Sequence, residues 1–118
     1  FKRINDQFGH AVGDQVLIAV GRRLKQALHD HDAAGRWGGE EFLLLWPGMR
    51  ITEAEARANQ LREAIGSGAI YAGGPQITIS LGLAEFTGLD SLDRCINRAD
   101  RALYRAKMEG RNRVCVAV

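Results

Sequence analysis

The segment that most restricts the fold is Arg36-Trp37-Gly38-Gly39-Glu40-Glu41-Phe42-Leu43-Leu44-Leu45-Trp46-Pro47. Five consecutive apolar residues, Phe42 to Trp46, are bounded by a glycine turn on one side and a proline on the other. Such a run is too short for a buried helix and far below the ~20 residues of a membrane span. It reads as a strand buried on both faces, entered from a β-hairpin with Gly38-Gly39-Glu40 at or near its tip. The glycine pair is expected there because Gly takes positive φ without steric cost. A strand covered on both faces suits a mixed α/β protein with helices packed on a sheet.

The helices are legible as periodic stripes. Val12, Val16, Val20, Leu24 and Leu28 step by four, with Leu17 widening the face, and predict a helix from about Val12 to His29. Ile51, Ala54, Ala58, Leu61 and Ile65 predict a second, opened by the capping-box pattern Thr52-x-x-Glu55 and closed by Gly66-Ser67-Gly68. Leu92, Ile96, Ala99, Leu103 and Ala106 predict a third, capped by Asp90 or Ser91 and ended by Gly110. Between them, Ala69 to Tyr71 reads as a short strand. Gln76 to Phe86 reads as a longer one, with Ile77, Ile79, Leu81 and Leu83 alternating with small or polar residues. Arg113 to Val118 reads as the last strand. The element order suits an α+β sandwich with helices packed on a sheet.

Composition excludes several classes. The chain has 118 residues, 46% of them apolar and 25% charged, which suits one folded domain and argues against disorder. Sixteen Lys and Arg against 14 Asp and Glu leave a net charge of +2, so a generally basic nucleic-acid binder is excluded. Cys95 and Cys115 have no metal-ligand spacing and read as free thiols of a cytoplasmic protein. No apolar segment follows Phe1-Lys2-Arg3, so no signal peptide is read. The pattern has no strand before the first helix, and the chain is read as a fragment of a longer protein.

Three clusters bear chemistry. Adjacent Glu40 and Glu41 at a strand start point to opposite faces, so one can meet a ligand while the other serves the fold. Gly38 and Gly39 beside them admit a bulky anion, and a carboxylate next to a phosphate implies a hard cation such as Mg²⁺. Asn5 to Asp14 is dense in turn residues; an Asn and an Asp held together can read the donor-acceptor edge of guanine. Arg101, Arg105, Lys107, Arg111 and Arg113 either complement a helix dipole or clamp a polyphosphate.

Together these clusters resemble the GGDEF family, the diguanylate cyclase domains of bacteria. The resemblance lies in Phe1-Lys2-Arg3-Ile4-Asn5-Asp6-x-Phe8-Gly9-His10-x-x-Gly13-Asp14 and Arg36-x-Gly38-Gly39-Glu40-Glu41-Phe42. It continues in Ile79 to Ala84 and in Asp100-x-Ala102-Leu103-Tyr104-x-Ala106-Lys107-x-x-Gly110-Arg111-Asn112-Arg113-Val114. It implies one GGDEF domain over residues 1–118, with its first strand upstream of Phe1 and a fold like the palm of nucleotide cyclases and polymerases, a central and mostly antiparallel sheet flanked by helices. The implied reaction joins two GTP into cyclic di-GMP and releases two pyrophosphates, across two domains that face each other as a homodimer.

By position, Asn5 and Asp14 match guanine-reading residues, and Glu40 matches a Mg²⁺- or Mn²⁺-binding carboxylate that also helps activate the 3′-hydroxyl. Glu41 matches the adjacent acid. Gly38, Gly39, Lys2, Lys107 and Arg111 match phosphate-contacting positions. A second metal ligand, an Asp, is expected upstream of Phe1. The family's inhibitory product site is Arg-x-x-Asp; here that window is His29-Asp30-His31-Asp32, with five residues between Asp32 and Gly38. His cannot reproduce the forked, permanently charged Arg, so the site is expected to be degenerate, and any product inhibition to act at the GTP site.

Two other readings stay open: a GGDEF module that holds GTP or cyclic di-GMP as a receptor without turnover, and a structural dimerisation domain. Under every reading the domain is expected in the cytoplasm, with regulatory domains and any membrane attachment elsewhere in the parent protein.

Overall fold

The computed structural model describes residues 2–118, with the side chains of Lys2 and Arg3 outside the described set. The elements run α1 (Lys2–Phe8), α2 (His10–Gln26), β1 (Ala33–Arg36), β2 (Phe42–Leu45), α3 (Ile51–Gly66), β3 (Leu81–Leu83), α4 (Leu92–Met108) and β4 (Val114–Val116). No helix among the described residues is long and apolar enough to cross a membrane. The contacts fall into two compact units: the chain up to Pro47 with Ser67–Ile77, and Gly48–Gly66 with Thr78–Val118.

In the first unit α1 packs against α2, and α2 against β1. The turn-rich segment from Asn5 onward is helical on both sides of Gly9, which sits at φ 90°. The Gly9 amide donates to the Asn5 carbonyl at 2.9 Å, so the glycine ends one helix and opens the next. The second helix therefore starts at His10, not Val12, and stops at Gln26. Its stripe lies where the periodicity places it: Val16, Leu17, Val20 and Leu24 are buried. β1 and β2 form the expected antiparallel hairpin, Arg36 opposite Phe42 and Ala33 opposite Leu45. Phe42, Leu43 and Leu44 are half-buried and Leu45 is exposed, so β2 is not the doubly buried strand its composition suggests. β1 is its one hydrogen-bonded neighbour among the described strands. The expected strand at 69–71 reduces to a single bridge, Ala69 to Gln76.

In the second unit β3 pairs in parallel with β4, through the crossover helix α4. The predicted strand 76–86 shortens to Leu81–Leu83, because a ladder can run no further than its partner and β4 is three residues long. The Leu81 amide donates to the Arg113 carbonyl and the Ala117 amide to the Leu83 carbonyl, closing the ladder at each end. α3 starts at Ile51: the Ala54 amide already donates to the Arg50 carbonyl, which puts Thr52 inside the first turn rather than at the cap. The Ile51 amide is met instead by Glu85 Oε1 at 2.7 Å, from the segment after β3. α4 is capped by Ser91, whose Oγ accepts the Arg94 amide.

The buried face of α4 is Cys95, Ala102 and Ala106, rotated from the predicted stripe, and Leu92 is largely exposed. Gly82 is the cause. A Cβ there would lie 2.8 Å from Leu103 Cα and closer still to the Ala99 carbonyl oxygen and the Leu103 amide. The helix backbone descends onto the strand at the glycine, and Ala99 and Leu103 make the closest approach. Ala102, Ala106 and Cys115 form a small core there, with Ala117 against it.

Beyond α4 the chain turns sharply. The Arg111 amide donates to the Ala106 carbonyl at 2.9 Å over Gly110 at φ 124°, a Schellman closure. Arg111 and Asn112 then also adopt left-handed conformations, φ 61° and 48°. For residues with a Cβ this costs about 1–2 kcal/mol each.

Candidate active site

The hairpin loop Trp37 to Glu41 is shaped by backbone hydrogen bonds and by the Arg36 side chain. The Trp37 and Gly38 amides both donate to the Glu41 carbonyl, at 2.8 and 3.3 Å. The Arg36 guanidinium folds back over the tip: Nε donates to the Gly38 and Gly39 carbonyls at 3.3 and 3.1 Å, and Nη2 also donates to the Gly39 carbonyl. A trans peptide points its N–H opposite its C=O. With both carbonyls drawn to Arg36, the amides of Gly39 and Glu40 face away from it, which is how a backbone offers N–H groups to an anion.

Gly38 and Gly39 do not have the positive φ expected of them; the positive-φ glycines are elsewhere, at 9, 48, 73, 88 and 110. A Cβ at either would meet nothing within 4 Å. Neither backbone conformation nor packing of the described residues requires glycine there. The space over the tip is open, and Glu40 stands exposed beside it while Glu41 is half-buried. Phe42 anchors the base of the loop, its ring 3.5 Å from where a Cβ on Gly21 of α2 would lie.

In the same unit Asn5 lies on α1 and Asp14 on α2, the two helices packed together. Asp14 is exposed. Asn5 is half-buried, and its Oδ1 is buried without a hydrogen-bond partner. A buried acceptor left unmet costs about 1–3 kcal/mol, so this carboxamide is poised for a donor. Lys2, also on α1, has its side chain outside the described residues.

His29 and Asp32 close a tight turn. The His29 amide donates to Asp32 Oδ2 at 2.8 Å, the Asp32 amide donates to the His29 carbonyl at 3.1 Å, and His31 is left-handed between them. The Asp32 carboxylate already serves this turn.

The basic segment belongs to the second unit. Arg105 Nη2 donates to the Val116 carbonyl at 2.7 Å and Arg113 Nε to the Arg111 carbonyl at 3.1 Å. Both also approach Glu109 at 3.9 Å. These two arginines serve the local fold. Lys107 lies in the last turn of α4, and Arg111 projects from the left-handed turn just past it, exposed. Reasoning from the sequence missed Arg36 as the clamp of the hairpin tip and Arg62 and Ser80 as partners of Asn112. No spacing rule links Arg62 to a residue 50 positions away. Among the described residues no three His, Cys, Asp or Glu gather as a ready metal shell.

Residues 1–113 match the family described as "Diguanylate cyclase, GGDEF domain". The chain is 44% identical over 117 residues to diguanylate cyclase DgcM of Escherichia coli, an alignment covering 99% of this chain and 28% of that protein. It is 41% identical over 119 residues to diguanylate cyclase DgcP of Pseudomonas aeruginosa, covering 99% of this chain and 18% of that one. The chain thus spans less than a third of either relative. Among solved structures it superposes on the active GGEEF domain of a diguanylate cyclase from Vibrio cholerae with a TM-score of 0.88 at 34% identity, covering 100% of this chain and 76% of that one. For the coiled coil and GGDEF domain of DgcB from Caulobacter crescentus, in complex with c-di-GMP, the values are 0.89, 32%, 99% and 64%. The mixed helix-and-strand fold is the one these domains share. With its Gly-Gly-Glu-Glu-Phe hairpin and a family match across nearly its whole length, the chain belongs to the GGDEF family of diguanylate cyclase domains.

Proposed function

We propose that this chain is the catalytic domain of a diguanylate cyclase, joining two GTP into cyclic di-GMP with release of two pyrophosphates. The observation that carries the reading is the glycine pair at the hairpin tip, which nothing in the described fold requires and which leaves open space beside an exposed carboxylate. Open space flanked by outward-facing amides suits a triphosphate.

The base is read as guanine because Asn5 and Asp14 match the family's guanine-reading positions; the unmet Asn5 Oδ1 and the exposed Asp14 are acceptors, as the N–H groups of guanine require. In the first unit the backbone at Gly38 and Gly39 and the cation Lys2 are read as phosphate contacts, and in the second unit, by their positions in the family motif, the cations Lys107 and Arg111. Each domain holds one GTP. In a dimer of facing domains each 3′-oxygen forms a bond to the α-phosphorus of the other nucleotide. The bond to the bridging oxygen of the β-phosphate breaks, pyrophosphate leaves, and the hydroxyl gives up its proton. Glu40, the exposed acid of the hairpin tip, is the group read as receiving that proton, with Glu41, half-buried, beside it.

A divalent cation, Mg²⁺ or Mn²⁺, would supply charge neutralisation at the triphosphate. Glu40 fits it as a hard oxygen donor, but as part of a shell only; the remaining oxygens would come from the nucleotide and from the carboxylate expected upstream of Phe1. Cyclic di-GMP, carrying guanine too, competes for the Asn5 and Asp14 positions rather than for a site at His29 and Asp32. The domain works on the cytoplasmic side, where GTP is.

The test is mass spectrometry of the products after the full-length protein is incubated with GTP and Mg²⁺. Cyclic di-GMP is expected. GTP binding without product, at concentrations that force dimers, would make the domain a nucleotide receptor instead. Within the site, Asn5→Ala is expected to weaken GTP by roughly tenfold, about 1.4 kcal/mol, and to leave weak ATP binding unchanged. Isothermal titration with both nucleotides checks this, and an equal loss for both would remove Asn5 from base recognition.

A further inference from the structure

We infer that Arg62, on α3, is a positioning residue for the phosphate site, acting through Asn112 on the turn that carries Arg111; the inference rests on the proposed phosphate contact of Arg111. Three consecutive residues past α4, Gly110, Arg111 and Asn112, have positive φ, and two of them carry side chains that disfavour it. A conformation of that kind persists only where its surroundings hold it. Here the holders are identifiable. Arg62 Nη1 donates to Asn112 Oδ1 at 2.9 Å, and the Asn112 amide donates to Ser80 Oγ at 3.1 Å. Arg62 is itself aligned: its Nε donates to Asn59 Oδ1 at 3.2 Å, and Asn59 Nδ2 donates to the Glu55 carbonyl one helical turn earlier.

The guanidinium fork thus spans α3 and the turn, a geometry that a lysine cannot supply with one nitrogen. Among the described residues the Arg111 side chain is exposed and has no hydrogen bond or ion pair of its own, whereas its backbone is held at both ends. The strain is therefore concentrated at the residue whose side chain is left open for a ligand. If the Arg62 link is cut, Asn112 can relax toward right-handed backbone and Arg111 swings away from its position.

The test measures the affinity of the full-length protein for a non-hydrolysable GTP analogue in a mutant cycle. Arg62→Ala is expected to weaken the analogue by about tenfold, as for loss of one charge-assisted hydrogen bond. Asn112→Gly cuts the same link while glycine takes the left-handed backbone freely, so it probes the tether even if Arg62→Ala fails to fold. It is expected to give a similar loss. In an Arg111→Ala background, neither change is expected to weaken binding further, because the effect runs through Arg111. Losses from Arg62→Ala or Asn112→Gly that persist in that background overturn the inference and mark the tether as merely structural. Full affinity in Asn112→Gly overturns it as well. Full affinity in Arg111→Ala alone overturns the phosphate reading and the inference with it; loss in Arg111→Ala with none in the other two overturns the inference alone.

Discussion

Glu40→Gln is expected to lower cyclic di-GMP formation by at least about 10³-fold while thermal stability stays within about 0.5 kcal/mol of the parent. The two halves of this expectation come from different observations. Glu40 is exposed at the hairpin tip, and no hydrogen bond or ion pair among the described residues holds it, so the fold does not depend on its charge. Glutamine keeps the length and one carbonyl acceptor but carries no charge. On the proposed function, a hard divalent cation beside the triphosphate would lose an anionic donor and the 3′-hydroxyl its neighbouring base. Product formation followed by mass spectrometry, with thermal denaturation on the same samples, separates the halves. Wild-type turnover in the variant would remove Glu40 from the metal site. A collapsed melting curve would show that the carboxylate serves the fold instead.

Gly82→Ala is expected to destabilise the protein by about 3 kcal/mol, at the upper end of overpacking changes, and to lower the melting temperature by about 10 °C or more. The added carbon would overlap backbone atoms of α4 at Ala99 and Leu103, which cannot rotate away as the end of a flexible side chain would. The helix must lift from β3, and the contacts of Cys95, Ala102 and Ala106 loosen together. In contrast, Gly38→Ala and Gly39→Ala meet open space and should leave stability nearly unchanged. Circular dichroism melting of the three variants gives the comparison. A Gly82→Ala protein that melts within about 2 °C of the parent would mean that α4 does not rest on the strand at this point.

These glycines separate what is legible in the sequence from what is not. The sequence marks Gly38 and Gly39 as a turn, and they are one, but the stated reason of positive φ is not the operative one. Gly82 appears only as a small residue in an alternating strand; its role depends on a helix that follows it in the chain and returns to it in space. The caps show the same division. Ser91 and Gly110 act on their own helix within a few residues, and both are where a local rule puts them. The cap of α3 comes from Glu85, 34 residues away, and Thr52 loses the place that a local rule assigns to it.

The sequence by itself determined the mixed helix and strand character, the hairpin tip at Gly38 to Glu40, the buried stripe of α2 and the family to which the motifs belong. Each of these follows from residues close together in the chain, whose periodicity, turn chemistry and spacing are set by covalent geometry. Tertiary structure alone decided the rest. It divided the basic cluster, occupying Arg105 and Arg113 with Val116, Glu109 and Arg111 and leaving Arg111's own side chain open. It seated the α4 backbone at Ala99 and Leu103 on Gly82, shortened the strand to the length of its partner, and tied Arg62 to Asn112 across 50 residues. Hydrogen bonds and close packing depend on which groups meet in space, and residues far apart in the chain meet only once the fold has formed.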